Sequence, residues 1–126
     1  MPDADTLMFF NDRPGALPLY ERLEALLFSL FPTADKRVQK TQITFYDRRV
    51  FACVSFARVK RKAEMPESAL TLTLGLPEPL DSRRAAVKTE VRPGRWTHHI
   101  VLGSAAELDP ELVNWIKQSH AFAQRK

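Results

Sequence analysis

Apolar residues recur along this chain with two different periods, and the switches between them outline the fold. In "LPLYERLEALLFSLF" (17–31), Leu19, Leu23, Leu26, Leu27 and Leu30 fall at helical spacing. Pro18 suits the first turn, Glu21 and Glu24 suit the positive end of the helix dipole, and Pro32 stops the helix. From residue 38 the period shortens to two. In "VQKTQITFYD", Thr41, Ile43 and Phe45 share one side while Lys40, Gln42, Thr44 and Tyr46 share the other, the pattern of a half-exposed strand. After "DRR", the run "VFACVSFARV" (50–59) is apolar on both sides, which predicts a central strand joined to the first as an antiparallel hairpin.

The segment "KRKAEMPES" (60–68) reads as a polar loop. "ALTLTLGL" (69–76) then alternates, with Leu70, Leu72, Leu74 and Leu76 inward and Thr71 and Thr73 outward. "PEPLDSRR" is a turn-rich connector, and "AVKTEVRPG" fits either a short strand or irregular structure. "RWTHHIVL" is the next clear strand. The last segment predicts a helix: Ser104 and Glu107 form a capping-box pair for a short first turn, and Asp109 before Pro110 is an N-cap and N1 pair. Leu112, Ile116, Ser119 and Ala123 line one stripe, flanked by Val113 and Trp115. The order helix, strands, helix predicts an α+β two-layer sandwich. Its mainly antiparallel sheet of four to five strands is covered by the N- and C-terminal helices, as a single domain over 1–126.

Composition adds little until its distribution is considered. Residues 1–33 carry five acids and two bases, residues 34–62 two acids and nine bases, and the remainder eight of each. A basic middle segment raises the local concentration of anions, although basic side chains also protect exposed sheet edges. No apolar run approaches the roughly 20 residues of a membrane span, and "MPDADT" lacks the start of a secretory signal. With Cys53 alone no internal disulfide can form, so the expectation is a cytoplasmic protein without membrane attachment. Common zinc spacings are absent, as are G-x-S-x-G, H-E-x-x-H and phosphate-cradling glycine loops. The expectation is therefore no metal, no cofactor and no recognisable catalytic motif.

The candidate chemistry lies in three places. His98 and His99 are neighbours in a strand, so their rings diverge: His98 is expected toward the helix-covered side and His99 toward the open side, with the reverse assignment left open by the sequence. That geometry disfavours one shared metal ion and makes His99 the suspect for a general base or an anion contact. Lys40, Gln42, Thr44 and Tyr46 offer a donor-rich strand face that Arg95 and His99 can join if the strands pair suitably. The basic loop "RVKRK" (58–62), with Tyr46, Phe51 and Phe56 near in sequence, points weakly to nucleic acid. Cys53 reads as a packing residue.

The order of "LPLYERLEALL", "VQKTQITFYDRRVFACV", "LTLTLGL", "RWTHHIVL" and "LDPELVNWIKQSHAFA" resembles a small bacterial domain-of-unknown-function family, some members of which are labelled predicted transport protein. Lys40 to Ile43 and the paired histidines are its most specific parts. The resemblance implies a compact α+β domain and no established activity, and the transport label sits badly with a chain lacking a membrane segment. The leading expectation is a non-catalytic module that binds an anionic ligand or macromolecule through a basic sheet face. Lys40, Gln42, Tyr46, Arg48, Arg95, His98 and His99 are the candidate contacts. One alternative is an enzyme using His99 as general acid or base with Lys40 or Arg95 holding the anion. Another is a protein-interaction domain, self-associating as a homodimer if "VFACVSF" lies at the sheet edge.

Overall fold

A computed structural model describes residues 3–57 and 69–125. The basic loop at 58–62, the polar loop at 60–68 and the end of the run 50–59 lie outside the described residues. Elsewhere the chain forms α1 (Ala4–Phe9), α2 (Leu17–Leu30), six strands, and α3 (Pro110–Gln124). The strands are β1 (Asp35–Val38), β2 (Gln42–Asp47), β3 (Arg49–Ser55), β4 (Leu70–Leu76), β5 (Ala85–Arg92) and β6 (Arg95–Leu102). They make one sheet in the order β1-β2-β3-β4-β6-β5, every neighbouring pair antiparallel. The α+β architecture is thus as expected, with two more clearly drawn strands, β1 and β5, on the sheet's edges.

One sheet face is apolar because alternate residues of each strand are. Ile43, Phe45, Ala52, Val54, Leu70, Leu72, Leu74, Ile100 and Leu102 join one core with Tyr20, Leu23 and Leu27 of α2 and Leu112, Ile116 and Ala123 of α3. Each such fully buried large side chain contributes about 1.5–3 kcal/mol. The α3 caps form as the sequence predicts: the Asp109 carboxylate accepts from the Leu112 amide at 3.0 Å, and Ser104 with Glu107 completes a capping box on the preceding 3-10 turn.

The strand expected to run from residue 38 to 47 is instead a hairpin. Residues 39–41 form the turn between β1 and β2. Lys40 therefore sits exposed in that turn and not on the β2 face. The charged strand β1 is held by a buried polar cluster: Lys36 Nζ donates to Glu24 Oε2 and Thr6 Oγ1, both at 2.7 Å, and the Tyr20 hydroxyl donates to the same Glu24 oxygen at 2.6 Å. Thr71, expected outward to solvent, is fully buried, because its hydroxyl donates to the Ala57 carbonyl at 2.7 Å.

Two features of β3 shape the functional region. Phe45 faces Ala52 while Tyr46 faces Val50, so Phe51 is an extra, bulged residue. The bulge allows Phe51 and Ala52, neighbours in sequence, both to be buried. The β3–β4 ladder runs from Ser55↔Thr71 to Ala52↔Leu74 and stops there. At the next rung the Ser119 hydroxyl of α3 intervenes, donating to the Phe51 carbonyl at 2.7 Å and accepting from the Gly75 amide at 3.2 Å. A helix side chain thus satisfies two backbone groups that the opened ladder leaves without each other.

Candidate functional site

The antiparallel order places the β2–β3 turn, the β5–β6 turn and the C-terminal end of β4 at one end of the sheet. Both turns carry two arginines, in "DRR" (47–49) and "RPGR" (92–95). Gly94 supplies the positive φ of +76° that the second turn requires. The first turn has Arg48 at φ +71°, a left-handed conformation costly for a residue with a Cβ.

Between these tips lies a cleft of about 360 Å³ lined by Arg48, Arg49, Val50, Arg92, Arg95 and Ala123. Val50, Arg95 and Ala123 also line an adjoining hollow of about 190 Å³, where the ladder between β3 and β4 has opened. The hollow's other walls include Phe51, Ala52, Leu74, Gly75 and Phe122, with Thr73, Thr97 and Ser119 as the polar contributors. Arg95 stacks over the Phe122 ring at 5.7 Å. Among the described residues, none of the four arginines pairs with a carboxylate.

The nearest acids are engaged otherwise. Asp47 accepts hydrogen bonds from the Thr33 hydroxyl and faces His120 Nε2 at 2.8 Å, and these partners, His120 first, hold its carboxyl below the usual range. His120 stacks on Phe31 with ring centroids 4.0 Å apart. Glu90 Oε2 accepts the Gly94 amide at 3.4 Å. The cleft therefore concentrates four permanent positive charges on planar forks suited to carboxylate and phosphate oxygens. The C-terminal end of α3, with its partial negative charge, offsets part of that field.

Of the residues singled out from sequence, Arg48 and Arg95 meet here. Lys40 does not: it lies at the opposite end of β2, which spans about 20 Å. There it lines a separate cavity with Asp5, Met8, Phe9, Val38 and Gln39. Gln42 is close to that end too, donating to Thr44 Oγ1 at 3.0 Å and Gln39 Oε1 at 3.3 Å. Tyr46 lies under Arg37, which stacks on its ring at 5.1 Å. The residues singled out from sequence are thus divided between two ends of the sheet.

The histidines diverge as strand geometry requires. His98 is fully buried on the helix-covered side, and its Nε2 accepts the Leu80 amide at 3.0 Å, pinning the 77–84 connector. Burial pushes its pKa down, against the opposing pull of the Leu74 and Trp96 carbonyls, and the Nε2 that accepts an N–H carries no proton itself. It presents no surface to a ligand. His99, half-buried on the other face, shares a hydrogen bond of 2.9 Å between Nδ1 and Thr73 Oγ1, and burial lowers its pKa as well. It stands four residues, about 13 Å, along the strand from Arg95. A row Thr44, Cys53, Thr73, His99 crosses this face by direct pairing. Burial raises the Cys53 thiol pKa.

Arg49, Arg92, Gly75 and Ser119 are residues that single-strand reasoning does not find. A usable signal was present: two hairpin turns each flanked by a pair of arginines, in strands of compatible direction. The "VFACVSF" strand is interior to the sheet and offers no edge for self-association. Among the described residues no cluster of three or more histidines, cysteines or acids is arranged to hold a metal ion, and no helix is long and apolar enough to cross a membrane.

Comparison with known proteins places these observations. No curated protein and no solved structure matches the chain significantly. A family model described as a domain of unknown function, DUF5655, matches residues 8–123, from the end of α1 to the last turn of α3. With nearly all of its sheet and helices inside that match, the chain belongs to the DUF5655 family.

Proposed function

We propose that this domain is a non-catalytic binding module that holds an anion between its two arginine-bearing hairpin tips. The observation carrying the reading is the convergence of Arg48, Arg49, Arg92 and Arg95 on one cleft, unpaired with acids among the described residues. Four guanidiniums brought together repel one another, and an anion bound among them relieves that repulsion. Lys40, Gln42 and His99, offered by the sequence as further contacts, belong to the opposite end or the middle of the sheet and are not assigned to this cleft. A catalytic role for His99 has less support, because its Nδ1 is engaged by Thr73 and the cations stand well away along the strand.

The test is titration of the protein with inorganic phosphate, followed by backbone amide chemical shifts. Shifts concentrated at residues 47–50 and 91–96 are expected, with affinity falling as sodium chloride rises. Arg95→Gln combined with Arg48→Gln should weaken phosphate at least tenfold. Binding that is absent, or indifferent to both substitutions, refutes the proposal.

A further inference from the structure

The arginine cleft continues past its charged side chains. It opens into the hollow at the split between β3 and β4, where Val50, Phe51, Ala52, Leu74, Phe122 and Ala123 make the larger, apolar part of the wall and Thr73, Thr97 and Ser119 the polar part. The two spaces share Val50, Arg95 and Ala123, so a molecule with its charge at the arginines can extend its other end inward. At about 190 Å³ the hollow is comparable to an apolar protein cavity of roughly 150 Å³ that takes up benzene.

Gly75 is the second observation. It lies within β4, paired with Thr97, where glycine weakens a strand because it has no side chain to pack and loses more freedom on folding. Neither usual reason for a strand glycine applies. Its φ is not in the left-handed region, and a Cβ built on it meets no atom within 4 Å. The missing side chain accommodates no neighbouring group of the protein. A Cβ there would stand in open space, and Gly75 is itself one of the residues lining the hollow.

From the arginine mouth, the apolar hollow and the unfilled glycine, we infer that the ligand is a small organic phosphate, with its phosphate among Arg48, Arg49, Arg92 and Arg95 and an apolar body of about six carbons in the hollow. A phosphate is favoured over a carboxylate because its second negative charge answers a site with four cations. This inference rests on the anion-binding reading and adds the nature of the group attached to the anion.

Calorimetric titration with inorganic phosphate, phenyl phosphate and phenol separates the two. Phenyl phosphate should bind at least tenfold more tightly than inorganic phosphate, and phenol should not bind detectably without the anionic head. Gly75→Val places two methyl groups on the hollow's wall. It should bring phenyl phosphate down to the affinity of inorganic phosphate while leaving inorganic phosphate unchanged. If phosphate binds but phenyl phosphate binds no better, the hollow is not a subsite and the anion reading alone survives. Phenyl phosphate affinity unchanged in a folded Gly75→Val variant also overturns the inference. If neither anion binds, both readings fall. The comparison of ligands on the unmodified protein stands whether or not Gly75→Val folds.

Discussion

Removing the Ser119 hydroxyl tests the arrangement that opens the sheet. Ser119 is almost fully buried and spans the rung at which Phe51 and Gly75 would otherwise pair directly. Ser119→Ala leaves a carbonyl and an amide without their partner, and each buried unsatisfied group costs about 1–3 kcal/mol. The adjoining hollow is lined by both Gly75 and Ser119, so water can enter and replace part of the loss. Better helix propensity of alanine returns about 0.5 kcal/mol. The net destabilisation is therefore about 1.5 kcal/mol, at the lower end of what two orphaned groups would suggest. Urea unfolding should show a midpoint lower by about 1 M with an unchanged slope. Hydrogen exchange at the Gly75 amide should accelerate more than at the Thr73 amide, which lies in the intact ladder. A variant within 0.5 kcal/mol of the parent, with Gly75 still protected, would refute the claim that this hydroxyl completes the sheet.

Three further outcomes follow from the same contacts. His98 is buried neutral and its pKa is depressed, so its stabilising contribution is complete above the unfolded value of 6.5 and is lost as pH falls below it toward the folded value; His99 adds in the same direction. Melting temperature should drop from pH 6.5 downward, and His98→Gln should make that drop shallower. Lys36→Met strands the Glu24 carboxylate beside Tyr20 and should cost about 2 kcal/mol by thermal unfolding, with Glu24→Gln in the same chain restoring part of it. Arg84 binds Asp109, Glu111 and the Glu107 carbonyl while stacking over Trp115. Arg84→Met should lower stability by about 1–2 kcal/mol, measured by urea unfolding, and loosen the 77–84 connector in hydrogen exchange without altering phosphate binding.

The parts legible in the sequence are those that hydropathy alone decides. The leucine spacing of α2 and the alternating leucines of β4 bury apolar surface in a fixed period, and the polar caps of α3 join residues only three apart, so one chain segment suffices to read each. Elements held by polar contacts escaped that reading. In β1 the sequence "DKRV" has one apolar residue, yet Lys36 is drawn partly into the protein by its bonds to Glu24 and Thr6. Thr71 is as buried as its leucine neighbours because a hydroxyl with a partner no longer needs water. Tyr20 likewise hides its hydroxyl against Glu24. The divergence of the paired histidines was legible because strand alternation is geometric, whereas which of them faces the helices depends on tertiary packing. The arginine cleft was only half visible. Its two halves lie 44 residues apart in sequence, from Arg48 to Arg92, and only the insertion of β4 between β3 and β6 brings the hairpin tips to a common opening.

Within that opening, three local rules of folding are broken at once. Arg48 holds a left-handed backbone, β4 carries a glycine that its backbone does not require, and the β3–β4 ladder stops at a rung where Phe51 and Gly75 bond the Ser119 hydroxyl in place of each other. Such departures persist where function opposes stability, and here all three border the same cleft and hollow. Arg48→Gly separates the two demands. Glycine removes the cost of the left-handed conformation, about 1 kcal/mol, and so should raise the unfolding midpoint. The same change deletes one of four cations, so phosphate affinity should fall several-fold. A variant both more stable and weaker in binding would mark Arg48 as kept for the anion. Loss of stability with binding intact would mean that the arginine serves the turn, and the cleft would lose its best evidence of purpose.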